Sequence, residues 1–289
     1  MLPPTFLKDC PYKPNLFAGK VVFVTGGAGT ICKDQTEALV RLGANAAIVG
    51  RKKEVTEQAA RDLEALRPGS RVLGLGETDV RDIRSLKRAV DKTLAELGRI
   101  DYVIAGAAGN FVTDVNHMSA NAFKTVIDID LLGSFNTAKA TFEALRESKG
   151  SLVFVSATAH YHGSPFTAHV GSAKAGIDAL MQALAVELGP LGIRINCIAP
   201  GFISGTEGMD RLLPPDMQKT YTRLTPLQRF GSTLDIANAT VWLFSDAASY
   251  VSGTVIVVDG GGWHSAQQTS TIHFYPDMLK QMGEDKSKI

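Results

Sequence analysis

Short apolar runs rich in β-branched residues alternate along this chain with longer segments whose apolar positions recur at the helical period. The pattern predicts seven strands, at 20–25, 45–50, 71–76, 101–106, 151–156, 193–198 and 254–258. Between them, amphipathic segments such as 35–42, 82–97, 122–145 and 171–188 are long enough to cross back over a sheet. The alternation therefore predicts an α/β fold with a doubly wound, parallel, seven-stranded sheet in a single domain.

One long segment interrupts the alternation. Residues 202–232 carry several glycines and prolines, among them Gly205 and Pro214, before a helix that is predicted near 233–245. A loop of this length in a compact domain usually serves the functional site. We therefore predict a domain over 1–262 that includes this loop as a substrate loop, followed by a polar C-terminal extension over 263–289.

The composition excludes several classes of protein. The 289 residues are 45% hydrophobic and 20% charged, with a net charge of +1, so no overall charge indicates a partner nucleic acid. Cys10, Cys32 and Cys197 are odd in number and lack CxxC spacing, which predicts neither a disulfide framework nor a metal site. No signal peptide and no apolar run of about 20 residues is found, so we expect a soluble protein without a membrane span.

The first predicted strand runs into a glycine-rich turn. Residues 20–32 read KVVFVTGGAGTIC, a strand, a turn and the beginning of a helix. Glycines let a backbone approach a pyrophosphate closely, and a helix N-terminus offers it N–H groups, so the segment predicts a dinucleotide site in a Rossmann fold. Where an NAD site has an acid, the chain has Arg51 and Lys52, which suit a 2′-phosphate and favour NADPH. A solvated basic helix start is the competing interpretation.

The chain resembles the short-chain dehydrogenase/reductase family over roughly residues 19–262. The glycine positions of the family's TGxxxGxG motif fall on Gly26, Thr30 and Cys32, so two of the three glycines are replaced. Gly27 and Gly29 stand close enough in the sequence to compensate. The resemblance still implies a phosphate-binding turn at this place.

Three further segments match the family. Asp79-Val80 stands where the family contacts adenine, residues 105–109 where it usually has NNAG, and residues 200–203 where it contacts the nicotinamide. The resemblance implies a cofactor site formed by Gly26, Gly27, Gly29, Thr30, Ile31, Arg51, Lys52, Asp79, Val80, Ala107, Lys174, Pro200, Gly201 and Ile203.

Most of the family's catalytic set is absent from the chain. Carbonyl reductases of the family use a tyrosine, a lysine four residues later, a serine and an asparagine. Lys174 matches the lysine, but the tyrosine position is Val170, the serine position is Ala157 and the asparagine position is Asp130. His169, near Lys174 in sequence, lies off the helix face that carries Lys174, and so is a poor replacement for the phenol.

Asp130 and Lys174 are opposite charges on helices that are adjacent in this fold, and they are the candidate catalytic residues. A structural salt bridge is the simplest interpretation of such a pair. The alternative is chemistry that protonates a carbon atom, because a water held between a carboxylate and an ammonium group can deliver that proton. Reduction of a conjugated thioester requires such a step.

These replacements resemble one branch of the family, the peroxisomal 2,4-dienoyl-CoA reductases, through residues 108–111, 121–130, 169–174 and 200–208. The resemblance implies hydride transfer from NADPH to Cδ of a 2,4-dienoyl-CoA and protonation at Cα, which gives a 3-enoyl-CoA in the β-oxidation of unsaturated fatty acids. In that branch the residues matching Asp130 and Lys174 hold the proton-donating water. The resemblance also implies substrate contacts by Arg51, Phe111, Ser119, Asn121 and Arg211.

Location and assembly are predicted from the same resemblance. Ser287-Lys288-Ile289 differs by one conservative change from the peroxisomal address SKL, which predicts an import receptor as partner and the peroxisome matrix as location. The family implies a homo-oligomer, dimer or tetramer. Two other functions stay open: a non-catalytic NADP(H)-binding sensor or scaffold, and a carbonyl reductase that uses an unusual acid such as His169.

Overall fold

Seven parallel strands form the centre of the computed structural model, which describes residues 1–206, 208–209 and 218–265. They are β1 Val21–Thr25, β2 Asn45–Val49, β3 Val72–Leu75, β4 Tyr102–Ala105, β5 Ser151–Val155, β6 Arg194–Pro200 and β7 Val255–Val258. Their order in the sheet is β3-β2-β1-β4-β5-β6-β7. The predicted doubly wound, seven-stranded sheet is confirmed, and the predicted strand ends differ from the observed ones by at most two residues.

Helices cover both faces of the sheet. They are α1 Phe6–Asp9, α2 Thr30–Arg41, α3 Lys53–Glu64, α4 Ile83–Leu97, α5 Ala120–Ile127, α6 Gly133–Ser148, α7 Ala168–Leu188, α8 Gln218–Leu224, α9 Thr233–Phe244 and α10 Gly262–Ser265. A π-helical turn, Asp128–Leu132, joins α5 to α6. Across the described ranges, none of the helices has the length and apolar character needed to span a membrane.

Two hydrophobic cores lie on opposite sides of the sheet. In β1 the side chains of Val22 and Val24 enter one core, and that of Phe23 enters the other. Helices α2, α3 and α9 close the first core, and α4, α6 and α7 close the second. Successive strand residues point to opposite faces, so a sheet covered on both faces needs an apolar residue at each strand position. This is why the strands read as continuous apolar runs.

The strand order places a crevice at the centre of the sheet. β1 pairs with β2 on one side and with β4 on the other, so the connections that leave these strands diverge. Thr25 at the end of β1 and Ala105 at the end of β4 are register partners. In open α/β sheets ligands bind beyond the carboxyl ends of the strands at such a point.

Two predicted segments differ from the structure. The single helix predicted at 122–145 is divided by the π-helical turn. The sequence pattern does not show this turn, because one extra residue leaves the apolar period of the surrounding helix almost unchanged. The loop predicted at 202–232 contains helix α8, and a parallel bridge between Ile203 and Gly231 closes its base.

Some predicted features lie outside the described residues. These residues are 207, 210–217 and 266–289, and they include Arg211 and the C-terminal tripeptide. The predicted domain boundary at 262 stays a prediction.

Candidate active site

A turn of glycines joins β1 to α2. Gly26 has φ +68°, and a Cβ there would lie 2.9 Å from the Cα of Ala107. A Cβ at Gly27 would lie 2.5 Å from the Cβ of Ile48. Gly29 is the N-cap of α2, and Thr30 and Ile31 lie in the first turn of that helix. Neighbouring atoms thus exclude side chains, which leaves backbone N–H groups at the α2 N-terminus to bind an anion, so the turn fits a pyrophosphate.

Cys32 and Gly106 are complementary substitutions. Cys32 stands at the third glycine position of TGxxxGxG, and Gly106 stands where NNAG begins. Cys32 is buried, and a Cβ at Gly106 would lie 2.2 Å from its Sγ. The side chain gained at position 32 therefore occupies space released at position 106. Burial raises the pKa of the Cys32 thiol to about 12 against a smaller opposing effect of Lys174, so Cys32 fills this space as a neutral thiol.

We expect Gly106→Ala to lower the free energy of unfolding by about 1–3 kcal/mol, because the added methyl group overlaps Cys32 Sγ. Combining it with Cys32→Ala should recover a large part of this loss, and urea unfolding of the two single variants and the double variant measures the coupling. Gly189→Ala is the control, since a Cβ there meets nothing within 4 Å. Strictly additive effects at positions 32 and 106 would contradict the exchange of volume.

The end of β2 carries positive charge where an NAD site has an acid. Arg51 and Lys52 follow the strand, and both side chains are exposed. Asp79, which follows β3, is paired with Arg81, with 2.6 Å between Oδ2 and Nη2. The hydrogen bond from Arg81 lowers the pKa of Asp79 against the effect of burial, and Arg51 adds a smaller lowering effect. The charge of the Asp79 carboxylate is thus paired with Arg81, and the exposed guanidinium group of Arg51 suits a ligand phosphate.

The remaining cofactor candidates lie at the same edge of the sheet. Val80 follows β3 and is buried. Pro200 ends β6, and Gly201 follows it against Asp259, where a Cβ at Gly201 would lie 2.5 Å from the Asp259 Cβ. Ile203 is buried two residues further on. These positions and the glycine turn thus surround the carboxyl ends of the central strands.

Asp130 and Lys174 meet in the interior of this site. Asp130 lies in the π-helical turn and is 0% exposed, and Lys174 lies on α7 and is 7% exposed. Asp130 Oδ2 and Lys174 Nζ are 3.3 Å apart. Asp130 Oδ1 accepts a hydrogen bond of 2.7 Å from the N–H of Gly109, and Lys174 Nζ donates one of 2.9 Å to the carbonyl of Val155. The structure therefore brings the predicted pair together.

These contacts leave each charged group with unused hydrogen-bonding capacity. An ammonium group has three donors, and one of those on Lys174 is used by a backbone carbonyl. Asp130 Oδ2 is buried, and although it lies at ion-pair distance from Nζ it makes no well-aligned hydrogen bond within the described residues. Each of the two groups can therefore take a further polar partner besides the other member of the pair.

The position of the family's tyrosine is apolar in the structure. Val170 is buried in a small cluster with Val126 and Ala173, against which Phe111 packs. The side chain that precedes Lys174 by one helical turn is therefore a packing residue. The site has an ammonium group at the expected place without the phenol that it serves in carbonyl reductases.

Tyr161 and His160, which follow β5, are engaged by another residue of α7. The Tyr161 hydroxyl donates to Asp178 Oδ2 at 2.9 Å, and His160 Nε2 lies 2.8 Å from the same oxygen. Burial and the Asp178 carboxylate raise the pKa of Tyr161, which keeps its proton. Tyr161 also contacts the Trp263 ring, with centroids 5.2 Å apart. Both side chains thus anchor this loop to α7, and the Tyr161 hydroxyl and His160 Nε2 are engaged by Asp178 rather than by the Asp130–Lys174 pair.

The predicted substrate residues divide into structural and exposed ones. Phe111 stacks on His169, with ring centroids 4.2 Å apart. Ser119 is the N-cap of α5, and its Oγ accepts a hydrogen bond from the N–H of Ala122. Asn121 is exposed on the first turn of α5. Arg211 lies outside the described residues, so the structure does not place it.

The partners that hold the charged pair could not be found from residue types. The N–H of Gly109 and the carbonyl of Val155 are backbone groups, which carry no residue signature. The sequence does offer one signal, the glycine at position 109. In the structure a Cβ at this position would lie 3.1 Å from Ile129 Cδ1. The glycine thus permits the close approach of its loop to the π-helical turn.

The dinucleotide turn, the topological switch point and the lysine on the helix after β5 define a nicotinamide-dependent reductase of the short-chain type. A family model described as enoyl-(acyl carrier protein) reductase matches residues 26–263. The crystal structure of levodione reductase superposes with a TM-score of 0.80 at 30% identity and covers 87% of this chain and 99% of that chain. A short-chain type dehydrogenase/reductase from Mycobacterium ulcerans gives a TM-score of 0.81 at 31% identity, over 91% of this chain and 98% of that chain.

Similar curated proteins narrow the class. The peroxisomal 2,4-dienoyl-CoA reductase of Saccharomyces cerevisiae, named as (3E)-enoyl-CoA-producing, is 61% identical over 260 residues, which are 90% of this chain and 89% of that protein. The enzyme of the same name from Rattus norvegicus is 44% identical over 252 residues, 86% of each protein. The chain belongs to the short-chain dehydrogenase/reductase family, in its branch of peroxisomal 2,4-dienoyl-CoA reductases.

Proposed function

We propose that this chain is an NADPH-dependent reductase that converts 2,4-dienoyl-CoA to 3-enoyl-CoA in the peroxisome, a reaction of the β-oxidation of unsaturated fatty acids. The observation that carries the proposal is the buried Asp130–Lys174 pair next to an apolar residue, Val170, at the tyrosine position. Such a site offers a carboxylate and an ammonium group to hold a water and lacks the phenol that protonates an alkoxide. The names of the similar proteins support the same reaction.

The residues at the switch point fit NADPH. We propose that the glycine turn binds the pyrophosphate and that Arg51 and Lys52 meet the 2′-phosphate. NADPH bound there supplies the hydride for Cδ of the dienoyl group. The further cofactor contacts that we propose are Thr30, Ile31, Asp79, Val80, Ala107, Lys174, Pro200, Gly201 and Ile203.

The Asp130–Lys174 pair serves the other end of the conjugated system. Addition at Cδ moves negative charge onto the thioester oxygen, which the ammonium group of Lys174 is suited to stabilise. The donor capacity of Nζ beyond the Val155 carbonyl and the unused capacity of Asp130 Oδ2 allow both groups to hold one water. That water gives a proton to Cα, which completes the 3-enoyl-CoA, and regains a proton from solvent.

We propose that the acyl-CoA contacts Phe111, Ser119 and Asn121, and that arginines meet phosphate groups of coenzyme A. Arg211 and Arg51 are the candidates, since guanidinium groups bind phosphate with two hydrogen bonds. Arg51 is thus a candidate for either ligand. A homo-oligomer and an import receptor that binds Ser287, Lys288 and Ile289 are also proposed, and the tripeptide lies outside the described residues.

Mixing the protein with NADPH and a short 2,4-dienoyl-CoA tests the function. We expect loss of nicotinamide absorbance and formation of 3-enoyl-CoA, with deuterium from heavy water at Cα and deuterium from labelled NADPH at Cδ. A 2-enoyl-CoA is the control substrate and should stay unreduced. Binding of NADPH without turnover would favour a sensor or scaffold instead, and oxidation of secondary alcohols with NADP⁺ would favour a carbonyl reductase.

A further inference from the structure

His169 connects the helix of Lys174 to the loop that contacts Asp130. It lies on the first turn of α7 and is fully buried. Its Nε2 lies 3.1 Å from the carbonyl oxygen of Phe111. Its ring also stacks on the Phe111 ring, with the ring planes 29° apart. One polar and one aromatic contact therefore fasten Phe111 to α7.

The histidine is the donor in this hydrogen bond. A carbonyl oxygen only accepts, so Nε2 carries the proton, and in the neutral ring Nδ1 does not. Burial lowers the pKa of His169 against smaller opposing effects of the Phe111 carbonyl and of Asp130, which favours the neutral ring. A neutral ring whose proton is committed to a backbone carbonyl is poorly suited to act as an acid on a substrate.

Segment 109–111 is held at both of its ends. At one end the N–H of Gly109 donates to Asp130 Oδ1 at 2.7 Å, and at the other end Phe111 is held by His169. His169 and Lys174 belong to the same helix, so the segment ties the carboxylate to the element that carries its ammonium partner. Only one residue separates Phe111 from Gly109, so we expect a displacement of Phe111 to disturb the hydrogen bond on Asp130.

We propose that His169 is a positioning residue that holds segment 109–111 and thereby fixes the Asp130 carboxylate against Lys174. The effect on turnover rests on the proposed function, since it acts through Asp130. Without the hydrogen bond from the Gly109 N–H, the Asp130 carboxylate is less restrained about its Cβ–Cγ bond. A water that it holds then shifts away from Cα of the dienoyl-CoA. A shift of about 1 Å at a reacting centre can cost about 100-fold in rate.

Two substitutions separate the hydrogen bond from the ring. His169→Gln keeps an N–H near the place of Nε2 and loses the ring, whereas His169→Phe keeps a ring on Phe111 and loses the donor. Because the Gln variant keeps the donor, we expect its kcat to stay within about fivefold of wild type, a change no larger than one hydrogen bond contributes. In the Phe variant segment 109–111 loses this hydrogen bond, and kcat should fall by about 100-fold. KM for NADPH should be unchanged in both. His169→Met replaces the Phe variant as a donor-free protein if the latter fails to fold.

Amide hydrogen exchange gives a readout that needs no substrate. In the substrate-free protein, exchange at the Gly109 N–H should be faster in His169→Phe than in wild type, and close to wild type in His169→Gln. Unchanged exchange in the donor-free variant overturns the inference whether or not the wild type reduces dienoyl-CoA. Equal loss of kcat in both variants would instead favour His169 as an acid, and wild-type rates in both would reduce it to packing; either outcome overturns the inference. Failure of the proposed function is recognised separately, as absence of turnover by the wild type.

Discussion

Asp130→Asn and Lys174→Met are each expected to lower kcat by about 10²–10⁴-fold, the range for loss of a positioned acid–base group. Asparagine keeps the shape of Asp130 and its acceptor for the Gly109 N–H, but it loses the charge that pairs with Lys174. Methionine keeps most of the length of Lys174 without the ammonium group. Turnover is measured with NADPH and a dienoyl-CoA, and binding of NADPH, followed by nicotinamide fluorescence, should remain measurable.

The double variant separates catalysis from stability. Removing one member of a buried ion pair leaves the other charge unpaired, which costs about 3–5 kcal/mol. Asp130→Asn combined with Lys174→Met removes both charges, so its free energy of unfolding should lie closer to wild type than that of either single variant, while kcat stays low. Recovery of turnover together with stability would show that the pair is a structural salt bridge.

Asp128→Asn is the matched control for the same turn of helix. Asp128 lies in the π-helical turn with Asp130, but it is partly exposed and forms an ion pair with Lys124 on the surface. The substitution therefore makes the same chemical change two residues away, and we expect kcat to stay near that of wild type because surface pairs contribute little. A loss as large as that of Asp130→Asn would mean that the π-helical turn tolerates no change of charge, and the effect could not be assigned to the pair.

The sheet was predictable because its strands are buried on both faces. A run such as Val21–Thr25 is buried at each position, and the helical segments between such runs have a different apolar period. The π-helical turn was not predictable in the same way, since it inserts one residue into a helix that resumes at once. It nevertheless places Asp130 in the interior, so a feature that the pattern cannot show positions one of the two charged groups.

The candidate site was predictable as a pair of residues but not as a set of contacts. Position in a family pattern selects Asp130 and Lys174, whereas the 3.3 Å between their side chains depends on the way the π-helical turn faces α7. The contact of Cys32 in the cofactor turn was likewise not predictable from the residue type. In sequence it is a lost glycine, and only the 2.2 Å between its Sγ and a Cβ at Gly106 shows that a second substitution makes room for it.

Arg51→Glu is expected to reverse the cofactor preference, lowering kcat/KM for NADPH by about 100-fold and raising it for NADH. Loss of a charge-assisted hydrogen bond costs about 1.5–3 kcal/mol, and a carboxylate at this place also repels the 2′-phosphate. With NADH the same carboxylate can accept a hydrogen bond from the ribose 2′-OH. Arg51 is exposed two residues beyond the end of β2, where this contact is made in dinucleotide sites. Initial rates with each cofactor at saturating dienoyl-CoA measure the change.

The same variant decides which phosphate Arg51 meets. If the arginine binds coenzyme A, KM for the dienoyl-CoA rises in Arg51→Glu while the ratio of kcat/KM for NADPH and NADH stays at its wild-type value, which would contradict a role at the 2′-phosphate. Arg88→Glu, at an exposed position of α4, makes the same change in net charge and should leave the ratio unaltered. Because exposed charges are screened by salt, the NADPH preference of the wild type should also fall as ionic strength rises, and that dependence should be weaker in Arg51→Gln, which removes the charge without adding another.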